Sequence, residues 1–125
     1  TGAKLTDATL THADLAYAKL TDATLTGASL TGADLSYATL IEANLTGKNL
    51  EGADLESATL YRADLTRANL YDANLRGADL TGANLYEANF RRANLTGAIL
   101  NVADLTGAFV CETAMPDGSI NNTNC

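Results

Sequence analysis

The chain repeats itself every five residues, and that period excludes most of what a chain can fold into. From Leu5 to Leu105 every residue number divisible by five is Leu except Phe90, and Val110 ends the series. Two residues before each stands Ala, from Ala3 to Ala108, with Lys48 as the one exception. The run Ala83-Asn84-Leu85-Tyr86-Glu87-Ala88-Asn89-Phe90 shows the unit, Ala-Asn/Asp-Leu-x-x. Twenty-two such units follow one another without insertion and cover 110 of 125 residues. Internal repetition at a fixed period is the signature of a repeat architecture.

A period of five fits neither the helix period nor strand alternation. In an extended segment, residues two apart point the same way, so Ala83 and Leu85 share one side. Ala88 lies three residues beyond Leu85, and a straight strand would turn it outward. To keep every Ala and Leu inside, the chain must bend once per unit, always in the same sense. The bend positions carry Gly, Asp, Thr, Ser and Tyr, as in Thr81-Gly82 and Thr106-Gly107. Gly tolerates positive φ, and Asp or Asn hydrogen-bonds the local backbone. Equal bends at equal intervals wind a chain into a solenoid, with successive turns about 4.8 Å apart.

Outer charges indicate how many units make one turn, because opposite charges gain from stacking on adjacent turns. At an offset of 20 residues, Glu42/Arg62, Glu56/Arg76, Arg67/Glu87 and Asp72/Arg92 become opposite pairs. At the same offset Asp22/Glu42, Asp14/Asp34 and Asp34/Asp54 stack as like pairs. An offset of 15 gives mostly like pairs, including Asp72/Glu87 and Arg76/Arg91, and an offset of 25 gives a tie. The charges favour four units per turn.

The Ala-Asp/Asn-Leu-x-x repeat resembles the pentapeptide-repeat family over residues 1–110. The resemblance implies an all-β fold, a right-handed quadrilateral β-helix with Leu and Ala inward, of about 5.5 coils for 22 units. Residues 1–110 would form the β-helix and residues 111–125 a C-terminal capping segment. Burying one Leu stabilises by roughly 1.5–3 kcal/mol, so such a column offsets much of the cost of ordering the chain.

The cap follows from where the repeat stops. Pro116-Asp117-Gly118 is a strong turn signal, and the ends of a solenoid need covering. Cys111 and Cys125 are the only cysteines and bracket this segment, which reads as a disulfide staple. A metal site would need more ligands, and no His lies nearby. A bridge over a loop of this size adds roughly 3 kcal/mol in the chain-entropy model and implies an oxidising compartment. The Cys-x-x-x-x-Pro-Asp-Gly-Ser ending, Cys111 to Ser119, resembles members from cyanobacteria and the plant thylakoid lumen. That implies the thylakoid lumen or a periplasm, with a leader removed ahead of Thr1.

Net charge is −7, which argues against nucleic acid or an anionic membrane surface as partner. No apolar run reaches transmembrane length, so no membrane insertion is expected. The column Asp14, Asp34, Asp54, Asn74, Asn94 offers oxygen ligands of the kind Ca²⁺ takes, but the same preference recurs on every side and suits backbone hydrogen bonding at each bend. No metal and no cofactor are expected. Tyr17 and Tyr37 stack at the same offset, as a ligand platform or, in the plainer reading, as a stabilising pair.

Lys48 stands where an inward Ala belongs. A buried unpaired ammonium is costly, so either Lys48 swings outward through a local backbone distortion or its stem leaves through the corner, and a local irregularity near residues 47–49 is expected. From Glu51 onward the outside gains Tyr61, Arg62, Arg67, Tyr71, Arg76, Tyr86, Arg91 and Arg92. Arg and Tyr are enriched at interfaces, which makes these residues the candidate interaction surface. Salt-bridged solubility is the rival reading.

His12, the one histidine, sits on an outer bend without a Cys or Ser partner. Paired carboxylates occur only as outer ladders, without the apolar pocket that raises a pKa. The expectation is a non-catalytic structural or protein-interaction module, monomeric, with an unknown protein partner. The resemblance carries an alternative, an acidic DNA-mimic inhibitor of a gyrase-type topoisomerase, which would act in the cytoplasm.

Overall fold

The computed structural model describes residues 2–125. Each unit is one short extended stretch and one two-residue turn. Parallel bridges join positions 20 apart, as in Lys4 to Thr24, Asp14 to Asp34, Asp54 to Asn74 and Asn84 to Asp104. Four five-residue units therefore complete one coil of a four-sided β-helix. The first side carries Leu5, Leu25 and Leu45 onward, the second Leu10 and Leu30, the third Leu15 and Leu35, the fourth Leu20 and Leu40.

Backbone hydrogen bonds use the same frame. The Leu45 amide donates to the Asp64 carbonyl at 2.8 Å, the Gly47 amide to Thr66 at 2.8 Å, and the Asp64 amide back to Ala43 at 3.0 Å. Each corner is closed by an Ala amide donating to the preceding Leu carbonyl, as Ala58 to Leu55 at 3.0 Å. The second corner residue has positive φ, 54° at Arg62 and 71° at Gly97. Turns with that requirement favour glycine. At Gly27 a side chain is also excluded by space, since a Cβ there would collide with the Asp7 carboxylate one coil away.

The Asp or Asn of each unit has a separate task. Its Oδ1 accepts the amide two residues on, at 2.9 Å from Ser36 to Asp34, 2.9 Å from Glu56 to Asp54 and 3.1 Å from Tyr86 to Asn84. These Asx turns hold the chain at the corner. They account for the Asp/Asn column without a bound cation, and among the described residues no group of His, Cys, Asp and Glu is arranged to hold a metal.

Inside, the Leu and Ala columns are buried from Leu20 to Ala98, and no cavity opens among the described residues. Phe90 is wholly buried beneath the smaller Val110. Leu5, Leu10, Leu15, Leu100 and Leu105, on the end coils, are half-buried. No helix is long and apolar enough to cross a membrane.

The coil's bonding continues past Val110. Glu112 has φ 55°, Ala114 bridges Asn94, and the Gly97 amide donates to Pro116 at 2.9 Å. Thr113 takes the inward position of an Ala, fully buried, and its hydroxyl donates to the Phe90 carbonyl at 2.6 Å. β1 (Thr113–Ala114) then pairs antiparallel with β2 (Ile120–Asn121), in register Thr113 to Asn121. Gly118, at φ 83°, makes the reversal. Cys111 and Cys125 are joined as a disulfide. The segment folds back over the third side and reaches the second through Asn124, whose Nδ2 donates to the Ala108 carbonyl at 3.2 Å. On the first and fourth sides Val102 stays 89% exposed.

Candidate interaction surface

The Arg and Tyr residues of the C-terminal half do not share one side. Tyr61 and Arg62 occupy the corner between the fourth and first sides, and Arg76 the corner between the third and fourth. The other five converge. Arg67 and Tyr86 stand at the corner where the second side begins, and Tyr71, Arg91 and Arg92 at the corner where it ends. Between them runs a ladder that sequence reasoning missed, Asn49, Asn69 and Asn89. The Asn69 amide donates to Asn49 Oδ1 at 3.0 Å, and Asn89 to Asn69 at 2.9 Å. Its signal was three Asn at the coil offset.

The cations are largely engaged within the rod. Arg67 Nε donates to Glu87 Oε2 at 2.7 Å, while Arg62–Glu42, Arg92–Asp72 and Arg76–Glu56 stand at 3.8, 3.8 and 4.0 Å. These are the four opposite pairs expected at an offset of 20 residues. All are solvent-exposed, and pairs of that kind contribute little to stability. Arg92 Nη1 also donates to the Tyr71 hydroxyl at 2.9 Å, with its guanidinium carbon 5.5 Å from the ring centre. Arg62 lies 5.1 Å from the Tyr61 ring centre. Arg91 forms no salt bridge among the described residues, and its Nη2 donates to the Cys125 carbonyl at 3.3 Å, tying rod to cap.

Titration follows these contacts. The hydrogen bond from Arg67, with Tyr86 adding to it, holds the Glu87 carboxyl below its ordinary range, and the same pairing raises Arg67. Hydrogen bonding to Glu87 raises the Tyr86 phenol. The hydrogen bond to Tyr71 raises Arg92.

Lys48 lies on the second side, half-buried. Its own turn is regular, since its amide donates to Leu45 at 3.0 Å and its carbonyl accepts from Asn69 at 2.9 Å. The disturbance lies on the N-terminal side of it. Among the described coils the ladder between 23–28 and 44–49 is loosened: Thr24 still bridges Asn44, while the Gly27 and Asn49 amides lack the bonds their equivalents make. No bridge joins Ser29 to Asn49, and the Leu30–Asn49 bond is stretched to 3.2 Å. The loosened stretch adjoins the lysine that stands in an alanine slot.

The comparisons with known proteins agree with this geometry. The family model for pentapeptide repeats matches residues 1–32, 33–72 and 73–109. The chain belongs to the pentapeptide-repeat family. Pentapeptide-repeat proteins of known structure form right-handed β-helices. One solved relative is HetL, a pentapeptide-repeat protein involved in regulating heterocyst differentiation in the cyanobacterium Nostoc sp. strain PCC 7120. It is 38% identical over 97% of this chain and 65% of its own, with a TM-score of 0.64. Another comes from the thylakoid lumen of Arabidopsis thaliana, 37% identical over 68% of this chain and 63% of its own, with a TM-score of 0.54. The chain thus spans less than two thirds of the length of either relative. No curated protein matches it by sequence. The family's members are in general structural or interaction proteins, and the matches indicate no enzyme family.

Proposed function

We propose that this chain is a non-catalytic protein-interaction rod of about 5.5 coils, monomeric, which receives a protein partner on the second side of its C-terminal half. The observation that carries this reading is the second side itself. A flat Asn ladder is framed by Arg67 and Tyr86 at one edge and Tyr71, Arg91 and Arg92 at the other. Arg and Tyr at both edges supply the residue types that dominate interface energetics, and the amide edges of the ladder offer hydrogen bonds to a partner. Tyr61, Arg62 and Arg76, on other corners, extend the surface around the rod. The interior filled by Leu and Ala supports a non-catalytic reading.

The disulfide supports work in an oxidising compartment, and the lumenal relative supports the thylakoid lumen, with a periplasm as the equivalent in a bacterium. In the cytoplasm, where a topoisomerase inhibitor would act, that bridge would be reduced. The acidic surface argues against nucleic acid. The test is affinity capture from the native compartment with the wild-type rod and with the Tyr71→Ala/Arg91→Ala double variant. A protein retained by the first and lost from the second supports the reading, and identical capture by both removes it. A thiol count on protein purified without reductant checks the compartment. Two free thiols would overturn the oxidising setting.

A further inference from the structure

The C-terminal edge of the rod is closed on two sides and open on two. On the third side β2 pairs with β1, and on the second Asn124 reaches the Ala108 carbonyl. On the fourth and first sides the ladder stops. One coil lower, the Leu80, Gly82, Leu85 and Glu87 amides donate to Ile99, Asn101, Asp104 and Thr106 at 2.8, 2.9, 2.8 and 2.9 Å. The Ala78 and Ala83 carbonyls there accept from Ile99 and Asp104. The same positions in the last coil are the Leu100, Val102, Leu105 and Gly107 amides and the Ala98 and Ala103 carbonyls. None of these has a backbone partner among the described residues.

The apolar surface gathers at the same end. Tyrosines apart, the exposed large apolar side chains among the described residues are Ile99, Val102, Phe109 and Ile120. Ile99 and Val102 border the open stretch, and the inward Leu100, Ala103 and Leu105 within it are only half-buried. Donors and acceptors spaced along an extended stretch are satisfied together by another extended backbone. β2 shows that an edge of this rod accepts one.

Charge narrows what that backbone carries. No Lys or Arg follows Arg92, whereas Asp104, Glu112 and Asp117 do. Asp104 stands exposed on the open first side, and no cation pairs with it among the described residues. Its Oδ1 accepts the Thr106 amide at 2.9 Å, and the Thr106 hydroxyl and amide hold its carboxyl below the ordinary range, so it is ionised. A residue laid across from Asp104 therefore gains by being cationic. Its two neighbours along an incoming strand point the other way, onto Ala103 and Leu105, where they gain by being apolar.

We infer that the open edge from Ala98 to Gly107 is a docking site for an extended segment of a partner protein in which apolar residues flank a Lys or Arg. The main chain supplies the bonding, and the alternation of inward apolar and outward basic residues supplies the selection. The edge lies at the end of the rod and does not involve Tyr71 or Arg91, so its failure would leave the second-side reading standing.

The test is hydrogen exchange by NMR on the whole chain, disulfide intact. The probe is a capped, strand-length peptide with one central lysine, a leucine on each side of it, and threonine and serine beyond. It should slow exchange at the Val102 and Leu105 amides. The same peptide N-methylated at the lysine and both leucines should not, and the peptide with glutamate in place of lysine should bind clearly more weakly. Asp104→Asn should weaken binding by about 1.4-fold to fivefold, the span of one cross-strand charge pair. That variant keeps the turn, since Asn84 fills the equivalent position one coil below. Val102→Arg sets a like charge beside the lysine and should weaken binding as well. Arg62 already holds φ 54° in the same corner column, so the circular dichroism should not change. Unchanged exchange at Val102 and Leu105 with the peptide would overturn the site. So would equal binding of the N-methylated or the glutamate peptide, binding indifferent to both variants, or a second copy of the chain seated on this edge in sedimentation.

Discussion

A single side chain sets the rod's weakest seam. Lys48 replaces one methyl group with a long cationic stem, and the ladder between 23–28 and 44–49 is loosened beside it. Two amides, Gly27 and Asn49, lose their partners along that seam. Each net hydrogen bond is worth about 1 kcal/mol, and part of that is returned by water at the opened edge. Lys48→Ala is therefore expected to stabilise the chain by about 1 kcal/mol in urea unfolding and to slow hydrogen exchange at Gly27 and Asn49. Unchanged exchange at those two amides would mean that something else opens the seam. Carboxylates are the other residue-scale feature. At Asp34, Asp104 and Asp117 the hydroxyl two residues on, from Ser36, Thr106 and Ser119, lowers the pKa, with the backbone amide adding to it. At Asp64 burial raises it, and the hydroxyls of Thr66 and Thr46 with the Thr66 amide outweigh that. Groups depressed by folding stabilise above their unfolded pKa of about 4, and that contribution is lost as pH falls through the folded value. NMR titration should place these four midpoints, and that of Glu87, below the ordinary carboxylate range. The melting temperature should drop on acidification below about pH 4, despite relief of the repulsion among the net charge of −7.

At the scale of the element, the unit is an extended stretch, an Asx turn and a corner of positive φ. Asn89 serves two roles, since its Oδ1 accepts the Arg91 amide at 3.2 Å and its amide reaches Asn69 at 2.9 Å. Asn89→Ala should cost about 1–2 kcal/mol in chemical denaturation, the loss of two ordinary hydrogen bonds. Asn89→Asp should keep the turn and break the ladder, and so fall between. The cap is the other element. Removing its disulfide through Cys111→Ser/Cys125→Ser should cost up to about 3 kcal/mol. The loss should be local, as faster exchange at Met115 and Gly118, with the central coils unmoved. The unit was legible because its side-chain types are dictated by position: inward slots admit Leu and Ala, the turn takes Asp or Asn, and the corner favours Gly. The coil offset was legible from the spacing of Arg against Glu and Asp. The cap was legible only in part. Pro116, Gly118 and the two cysteines announce a turn and a bridge, but nothing in Glu112-Thr113-Ala114 announces one more stretch of coil. Thr113 fills an alanine slot because the Phe90 carbonyl above it accepts a hydrogen bond, and a sequence does not display that. The candidate surface was legible in composition and not in arrangement. Tyr61, Arg62 and Arg76 read as companions of Tyr71 and Arg92, yet the coil turns them onto other corners.

At the scale of the whole molecule, a solenoid has no contact that spans it. Each coil rests on the coil before and the coil after, so stability is a sum of neighbouring interfaces, and the ends loosen first. Leu5, Leu10 and Leu15 at one end and Leu100 and Leu105 at the other are already half-buried, while Leu55 and Leu60 at the centre are fully enclosed. Hydrogen exchange should therefore show protection rising inward from both ends. A step is expected at the Lys48 seam, which divides the rod into a short N-terminal block and a longer C-terminal one that carries the Arg/Tyr corners. Leu55→Ala makes the division testable. Loss of a buried Leu costs about 2–5 kcal/mol, and here the cavity opens just C-terminal to the seam. With the ladder weakened on one side and the core on the other, the first two coils should exchange at a lower free energy than the rest. Exchange at the Tyr17 and Tyr37 amides should then precede exchange at the Leu75 and Leu80 amides. Coincident transitions for the two halves would show that the coils are coupled more tightly than nearest-neighbour contacts allow, and that the opened seam carries no weakness at all.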